Sequence, residues 1–495
     1  MRAGTSLVAP QVSRSLVHFW ADALGGETII VRWSPFTMRY LVLLAFVAGC
    51  APAVSAPPDL PVTQVASALS QVDKQSPPTD WPQWMGPTRD GVWHETGIVD
   101  KFPENGPPIV WRTKIGGGYA GPAVVGDRVY VMDYVRKEGT VQNDPGTRTE
   151  LKGTERVLCL DAKTGEIVWK HEYDRPYAIS YASGPRCTPA VHDGKVYTLG
   201  AEGNLYCLDA ATGKPLWSKD FQKDYGAPCP IWGFTSHPLV EGNKVFCLVG
   251  GKGSVVVAFD KDTGKEVWKA LDAPHAGYCP PTMITAGGKR QLLIWTPLAI
   301  NGLNPETGEV YWSEPLEPQY EMSVSAPVKH GDLLYVSGIG DVGGVWRLDS
   351  SKPAISEVWI GDNKTAVYTC NSTPIVEDGI IYGCDCRGGQ LRGVELATGK
   401  RLWETFKPTT GDRRASHGTA FLVKNGNRYF LFSEQGDLII ANLSREGYEE
   451  ISRFHLLEPT SEAFGRDVVW SHPAFANKCL YARNDKEIVC VSLAK

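Results

Sequence analysis

Twelve cysteines, ten histidines and a set of regularly placed aromatic residues are where chemistry could reside in this 495-residue chain. Arg186, Trp232, Tyr278, Asn371 and Trp470 each stand at the start of a predicted inner strand. A guanidinium can pair with carboxylates, and Trp or Tyr can stack on a flat ring. These five are therefore candidates for holding a planar ligand, although Trp and Tyr at such positions more often pack between sheets. Asp385, in Cys384-Asp385-Cys386-Arg387-Gly388, is a weak candidate for a base or a cation ligand. In a tight turn the same side chain caps backbone N–H groups. His237, His417 and His472 share a register, each following a small residue. They belong to the third, seventh and eighth copies of a repeat, so hydrogen bonding between neighbouring sheets explains them better than a shared metal. The cysteines lack zinc-type spacing. Cys159, Cys207 and Cys490 fall where another copy has Ala258, which marks them as small buried residues. Cys384 and Cys386 are too close in sequence to assume a disulfide between them. No metal site is expected.

The elements that position these residues come from a repeat. Its clearest copy is Leu205-Tyr206-Cys207-Leu208-Asp209-Ala210-Ala211-Thr212-Gly213-Lys214-Pro215-Leu216-Trp217. The pattern recurs at Asp161, Gly165 and Trp169, at Asp260, Gly264 and Trp268, at Gly308 and Trp312, and at Gly399 and Trp403. Worn copies end at Trp359 and Phe454. Each copy reads as a β-hairpin: the Asp caps the turn, Gly takes the positive-φ position, and the Trp buries a flat surface against a neighbouring sheet.

With Trp111, eight Trp-type positions recur about every 49 residues, enough for a four-stranded sheet each. Eight segments of the form small residue, any residue, Pro or Gly recur in step, from Ala120-Gly121-Pro122 to Ser471-His472-Pro473. Trp111 lacks a first strand, and Glu487–Ser492 lacks a Trp strand after it. The fold expected is an all-β, eight-bladed propeller of four-stranded antiparallel blades, closed by pairing 109–116 with 487–492. A double β-sandwich would not leave a half-repeat at each end. Residues 136–156 insert charged residues into the first blade and read as a solvated loop or a partner-binding one.

Composition narrows the function. The chain is 42% hydrophobic and 10% aromatic with a net charge of −5, too apolar for disorder and without a basic patch for nucleic acid. Met38-Arg39 precedes an apolar stretch ending Val47-Ala48-Gly49-Cys50, a signal sequence that resembles a bacterial lipobox with Cys50 as the lipidated residue; plain secretion by cleavage at Ala53-Val54-Ser55-Ala56 is the alternative, disfavoured by the Pro57 that follows. Residues 1–37 read as an upstream extension, 38–56 as the signal, 57–80 as a Pro-rich tether, and 81–495 as the propeller. An extracytoplasmic, lipid-anchored monomer is expected.

The D-x-x-T-G-x-x-x-W pattern resembles the tryptophan-docking repeat of the pyrroloquinoline-quinone (PQQ) propeller superfamily across residues 81–495. Trp81-Pro82-Gln83-Trp84-Met85-Gly86-Pro87-Thr88-Arg89-Asp90-Gly91 is similar to the start of extracytoplasmic PQQ-repeat proteins of planctomycete-type bacteria. The superfamily includes quinoprotein dehydrogenases and non-catalytic members such as the outer-membrane assembly lipoprotein BamB, so fold alone does not fix function. The dehydrogenases imply PQQ, a divalent cation such as Ca²⁺, and a disulfide between adjacent cysteines over the cofactor. This chain has no Cys-Cys pair and no C-x-x-C-H haem motif. The resemblance therefore implies first a non-catalytic binding or assembly scaffold for an envelope protein, peptide or polymer, with no cofactor expected. A PQQ/Ca²⁺ oxidoreductase acting on a small alcohol or sugar is the alternative, and a glycan or small-ligand binder a third reading.

Overall fold

The computed structural model describes residues 79–495. The expected extension, signal and lipidated Cys50, and nearly all of the tether, lie outside the described residues. The described chain forms eight four-stranded antiparallel blades around a common axis, an eight-bladed β-propeller. Blades 1 to 7 span 123–174, 190–220, 239–270, 282–315, 328–360, 375–405 and 420–455. Blade 8 takes three strands from 474–492 and its outer strand, Ile109–Lys114, from the start of the chain. Ile109–Lys114 pairs antiparallel with Glu487–Ser492, closing the ring where the half-repeats require.

The repeat residues do the work their types suggest. Asp209 Oδ1 accepts the Thr212 N–H at 2.9 Å, and Asp260 Oδ1 accepts that of Thr263 at 2.9 Å. Gly165, Gly213, Gly264, Gly308 and Gly399 all have φ between 69° and 75°. Apart from Trp312 and Trp403, each docking Trp lies on the Gly of the next blade, Trp169 on Gly213 and Trp217 on Gly264. Its indole donates to a carbonyl of that next blade, Trp169 to Ala210 at 3.0 Å and Trp217 to Lys261 at 3.0 Å. Trp312 is the informative exception. The fifth copy lacks Thr-Gly, and the Trp312 indole turns back to Gln291 of its own blade at 2.7 Å. Phe454, which has no indole N–H, packs on Gly106 instead. Opposite six of the eight docking residues stands a small residue, Cys159, Cys207, Ala258, Gly302, Gly393 or Cys490, whereas Trp359 and Phe454 of the worn copies face Val345 and Leu438. That is why those cysteines are there.

Around the axis, the small residues before each inner strand link the blades. Ser236 Oγ donates to Cys279 O at 3.0 Å, and Ser471 Oγ to Tyr119 O at 3.0 Å. Two sequence readings change here. The insertion in blade 1 is mostly strand: Arg128–Glu138 and Thr149–Asp161 pair along their lengths and leave a short tip, because alternate side chains such as Asp133 and Glu155 are buried and satisfied. His417 also leaves the register of His237 and His472. The inner strand of blade 7 begins at Ala420, so His417-Gly418-Thr419 matches Ser471-His472-Pro473, and His417 takes the small residue's place.

Candidate functional site

The N-terminal segment sets the floor of the site. Trp81 pairs with Val124 of blade 1, and Pro82 O accepts Val191 N–H of blade 2. Arg89 donates to carbonyls of His237, Pro238 and Pro281 at the entrances to blades 3 and 4. Trp84 and Met85 pack on Ala326 before blade 5, Gly91 lies beside Ile375 of blade 6, and Lys424 of blade 7 pairs with the backbone of Gly91 and Trp93. A segment that touches every blade must cross the axis, and Trp84 is the residue it leaves there. Its indole stacks on His237 at 4.9 Å and meets His472 edge-on at 5.9 Å, with the Arg89 guanidinium over its ring at 5.2 Å. Burial lowers Arg89 to about 10 and His472 to about 3, and drives His237 well below its usual range, so both imidazoles are neutral. His237 Nδ1 accepts the Thr188 N–H of blade 2 at 2.9 Å, the inter-blade bond expected for it.

Above Trp84 opens a funnel of about 720 Å³, in the size range of small-ligand sites. Its wall is aromatic: Tyr119, Tyr181, Trp232, Tyr278, Phe464 and Trp470. Trp232 and Tyr278 lie 5.5 Å apart, and Phe464 projects from the hairpin Ser461–Ala463/Arg466–Val468 with 42% of its surface exposed. Trp84 Nε1 and Tyr181 Oη are buried and have no hydrogen-bond partner among the described residues. A buried donor left unpaired is costly unless a ligand or water satisfies it.

All five aromatic, Arg and Asn candidates from the sequence line this funnel. Arg186 does not present a free charge, however. Its guanidinium donates to the carbonyls of Trp232 (3.0 Å), Ser180 (2.8 Å), Tyr181 (2.6 Å) and Gly184, and lies over Tyr119. It holds the wall together instead of waiting for a carboxylate. Asp385 is likewise spent: it is 3% exposed, ion-paired with Arg392 and reached by the Tyr368 N–H at 3.4 Å. It stands outside the funnel lining because the turn places its neighbours Cys384 and Cys386 on opposite sides. Cys384 meets Ala420 N–H at 3.3 Å, whereas Cys386 faces the funnel.

Sequence reasoning missed what Cys386 meets there. Cys370 Sγ lies 2.7 Å from Cys386 Sγ and 3.0 Å from His417 Nδ1, and Cys386 Sγ is 3.5 Å from the same nitrogen. The hydrogen bond from the Cys370 thiol, aided by His417, brings Cys386 down to about 6, while burial pushes Cys370 up. The ligand types were visible, but their spacing of 16 and 31 residues follows blade geometry, not a local motif.

A flat tri-acidic quinone and Ca²⁺ fit this lining poorly. Ca²⁺ takes six to eight oxygen ligands. Asp341 is the one carboxylate among the described lining residues, and it is held by Arg387 at 2.8 Å. Arg186, the other lining guanidinium, is committed to carbonyls.

The fold and site define a PQQ-like propeller. Residues 153–405 and 303–495 match the family described as outer membrane protein assembly factor BamB, and the chain belongs to that family. Over 137 residues, 25% of this chain and 18% of the relative, it is 33% identical to quinohemoprotein alcohol dehydrogenase ADH-IIG of Pseudomonas putida. It is 24% identical over 260 residues to outer membrane protein assembly factor BamB of Yersinia pestis, covering 41% of this chain and 64% of that one. The chain thus spans less than two thirds of either relative's length. Among solved structures, quinohemoprotein alcohol dehydrogenase from Comamonas testosteroni superposes with a TM-score of 0.53 at 14% identity, over 88% of this chain and 84% of the other. That similarity is one of fold.

Proposed function

We propose that the chain is a non-catalytic binding propeller working outside the cytoplasm, lipid-anchored through Cys50, and that its funnel takes the neutral saccharide rings of an envelope polymer. The reading is carried by the funnel itself: partly exposed Trp232, Trp470 and Phe464 offer flat faces, and Trp84 Nε1 and Tyr181 Oη offer unpaired donors. Stacking on an apolar ring face with donors to its oxygens is how such a wall would hold a sugar. Membership of the BamB family, and the extracytoplasmic setting named by that family's description, support the location. The commitment of Arg186 to carbonyls and of Asp341 to Arg387 weighs against the quinoprotein alternative.

Calorimetry and tryptophan fluorescence test this on purified protein, with oligosaccharides released from envelope polymers in one arm and PQQ with and without Ca²⁺ in the other. Expected is saturable oligosaccharide binding, weakened about tenfold or more by Trp232→Ala or Trp470→Ala, in line with about 1.4 kcal/mol per lost ring contact. Calcium-dependent stoichiometric PQQ binding with dye-linked alcohol oxidation would overturn the proposal, as would silence in both arms.

A further inference from the structure

The wall of the funnel between blades 6 and 7 brings together two thiols and an imidazole from three separate stretches of chain. Cys370 precedes the inner strand Ile375–Glu377, Cys386 follows the strand Ile380–Cys384, and His417 precedes Ala420–Asn425. Their ligand atoms all lie within 4.8 Å of one another. From this convergence we infer that Cys370, Cys386 and His417 form a transition-metal site of the Cys₂His type, taking Zn²⁺, with its fourth position open to the funnel.

The donor set selects the metal. Two thiolates and an imidazole suit Zn²⁺ and are wrong for Ca²⁺ or Mg²⁺, which take oxygen. Tetrahedral Zn²⁺ with Zn–S near 2.3 Å requires sulfurs about 3.8 Å apart. The present 2.7 Å spacing therefore opens by about 1 Å on loading, a movement within reach of side-chain rotation. Both sulfurs coordinate as thiolates, so binding is linked to proton release, and the imidazole coordinates through Nδ1.

The imidazole is held for this role. His417 has φ 59°, its N–H donates to Cys386 O at 2.7 Å, and its carbonyl accepts Asn371 Nδ2 at 3.2 Å. Its ring stacks face to face on Phe464 at 4.7 Å. Such outer contacts fix ring orientation in metal sites. All three ligand residues line the funnel, so a water or a ligand oxygen there completes the coordination. Three protein ligands with one open position is the arrangement of reactive zinc sites, whereas structural ones are closed. Only the identity of that fourth donor rests on the funnel being a ligand site.

The test is a Co²⁺ titration of the full chain, reduced and purified without metal, followed by displacement with Zn²⁺ against a chromophoric chelator. Expected is one equivalent of Co²⁺ with thiolate-to-cobalt charge-transfer absorption and tetrahedral ligand-field bands, displaced by Zn²⁺. Cys370→Ser and Cys386→Ser should each roughly halve the charge-transfer intensity at saturation and weaken affinity ~100-fold or more, at least the loss seen for outer-shell partners. His417→Gln keeps both thiols and should retain charge transfer while losing affinity, which separates ligation from misfolding; circular dichroism checks each variant. Absence of sulfur charge transfer in the reduced wild type overturns the site. So does isolation of the protein from its native compartment with Cys370 and Cys386 joined as a disulfide and no bound metal. No saccharide enters the titration, so its failure leaves the ligand-binding proposal standing, and a metal-loaded protein blind to saccharides fails that proposal alone.

Discussion

Gly213 shows how much a single position carries. Its φ of 72° belongs to the region that a Cβ disfavours, and a Cβ there would sit 2.5 Å from the Trp169 ring. Gly194 has nearly the same φ, 71°, with nothing within 4 Å of the added carbon. Gly194→Ala should therefore cost about 1 kcal/mol of backbone strain. Gly213→Ala adds the displacement of a docked indole and should cost about 3 kcal/mol. Urea unfolding of the two variants checks the difference, and equal losses would mean the Trp does not dock on the Gly. The Asp-Thr-Gly-Trp residues were legible in sequence because their chemistry is local: a cap, a positive φ and a flat ring at fixed offsets. The roles of Arg186 and Asp385 were not. Their partners, carbonyls at Ser180 and Trp232 and the guanidinium of Arg392, are set by how loops fold back. A charged residue beside a cleft looks functional until its partners are known.

At the scale of elements, closure of the ring depends on one strand pair. Glu487–Ser492 lies between Cys479–Arg483 and Ile109–Lys114, so it carries hydrogen bonds on both edges. Ending the chain after Asp485 would expose both neighbours as open edges, which invite pairing with other chains. The truncated protein should elute as soluble aggregates or oligomers by light scattering, with amide exchange accelerated in Ile109–Lys114 first. A monomer with unchanged protection would mean that closure contributes little. This pairing was readable from the half-repeats alone. The misplacement of His417 by one residue was not, because blade 7 has Thr419 where most other blades have Pro, and a motif without its Pro has no fixed register. That shift removes His417 from the axis and delivers it to Cys370 and Cys386.

For the whole molecule, the floor of the funnel links folding to pH. His237 and His472 flank Trp84, with Arg89 over the same ring, and both imidazoles are kept neutral by burial in the folded state. In the unfolded chain each titrates near 6.5. Below that pH the unfolded state takes up protons that the folded state refuses. The stability the pair provides is thus complete above about pH 6.5 and is lost as pH falls toward about 3, where His472 itself titrates. The slope is at most about 1.4 kcal/mol per pH unit for each imidazole. Thermal midpoints measured from pH 7.5 to 5 should fall steadily in the wild type, and His472→Gln should flatten that fall. Because the N-terminal segment reaches every blade through its crossing of the axis, loosening at Trp84 should appear as early amide exchange in Trp81–Gly91, before the outer strands respond. An unchanged acid slope in His472→Gln would show that the floor is not what senses acid. Uniform exchange across the blades would show that the segment is not the element that yields first.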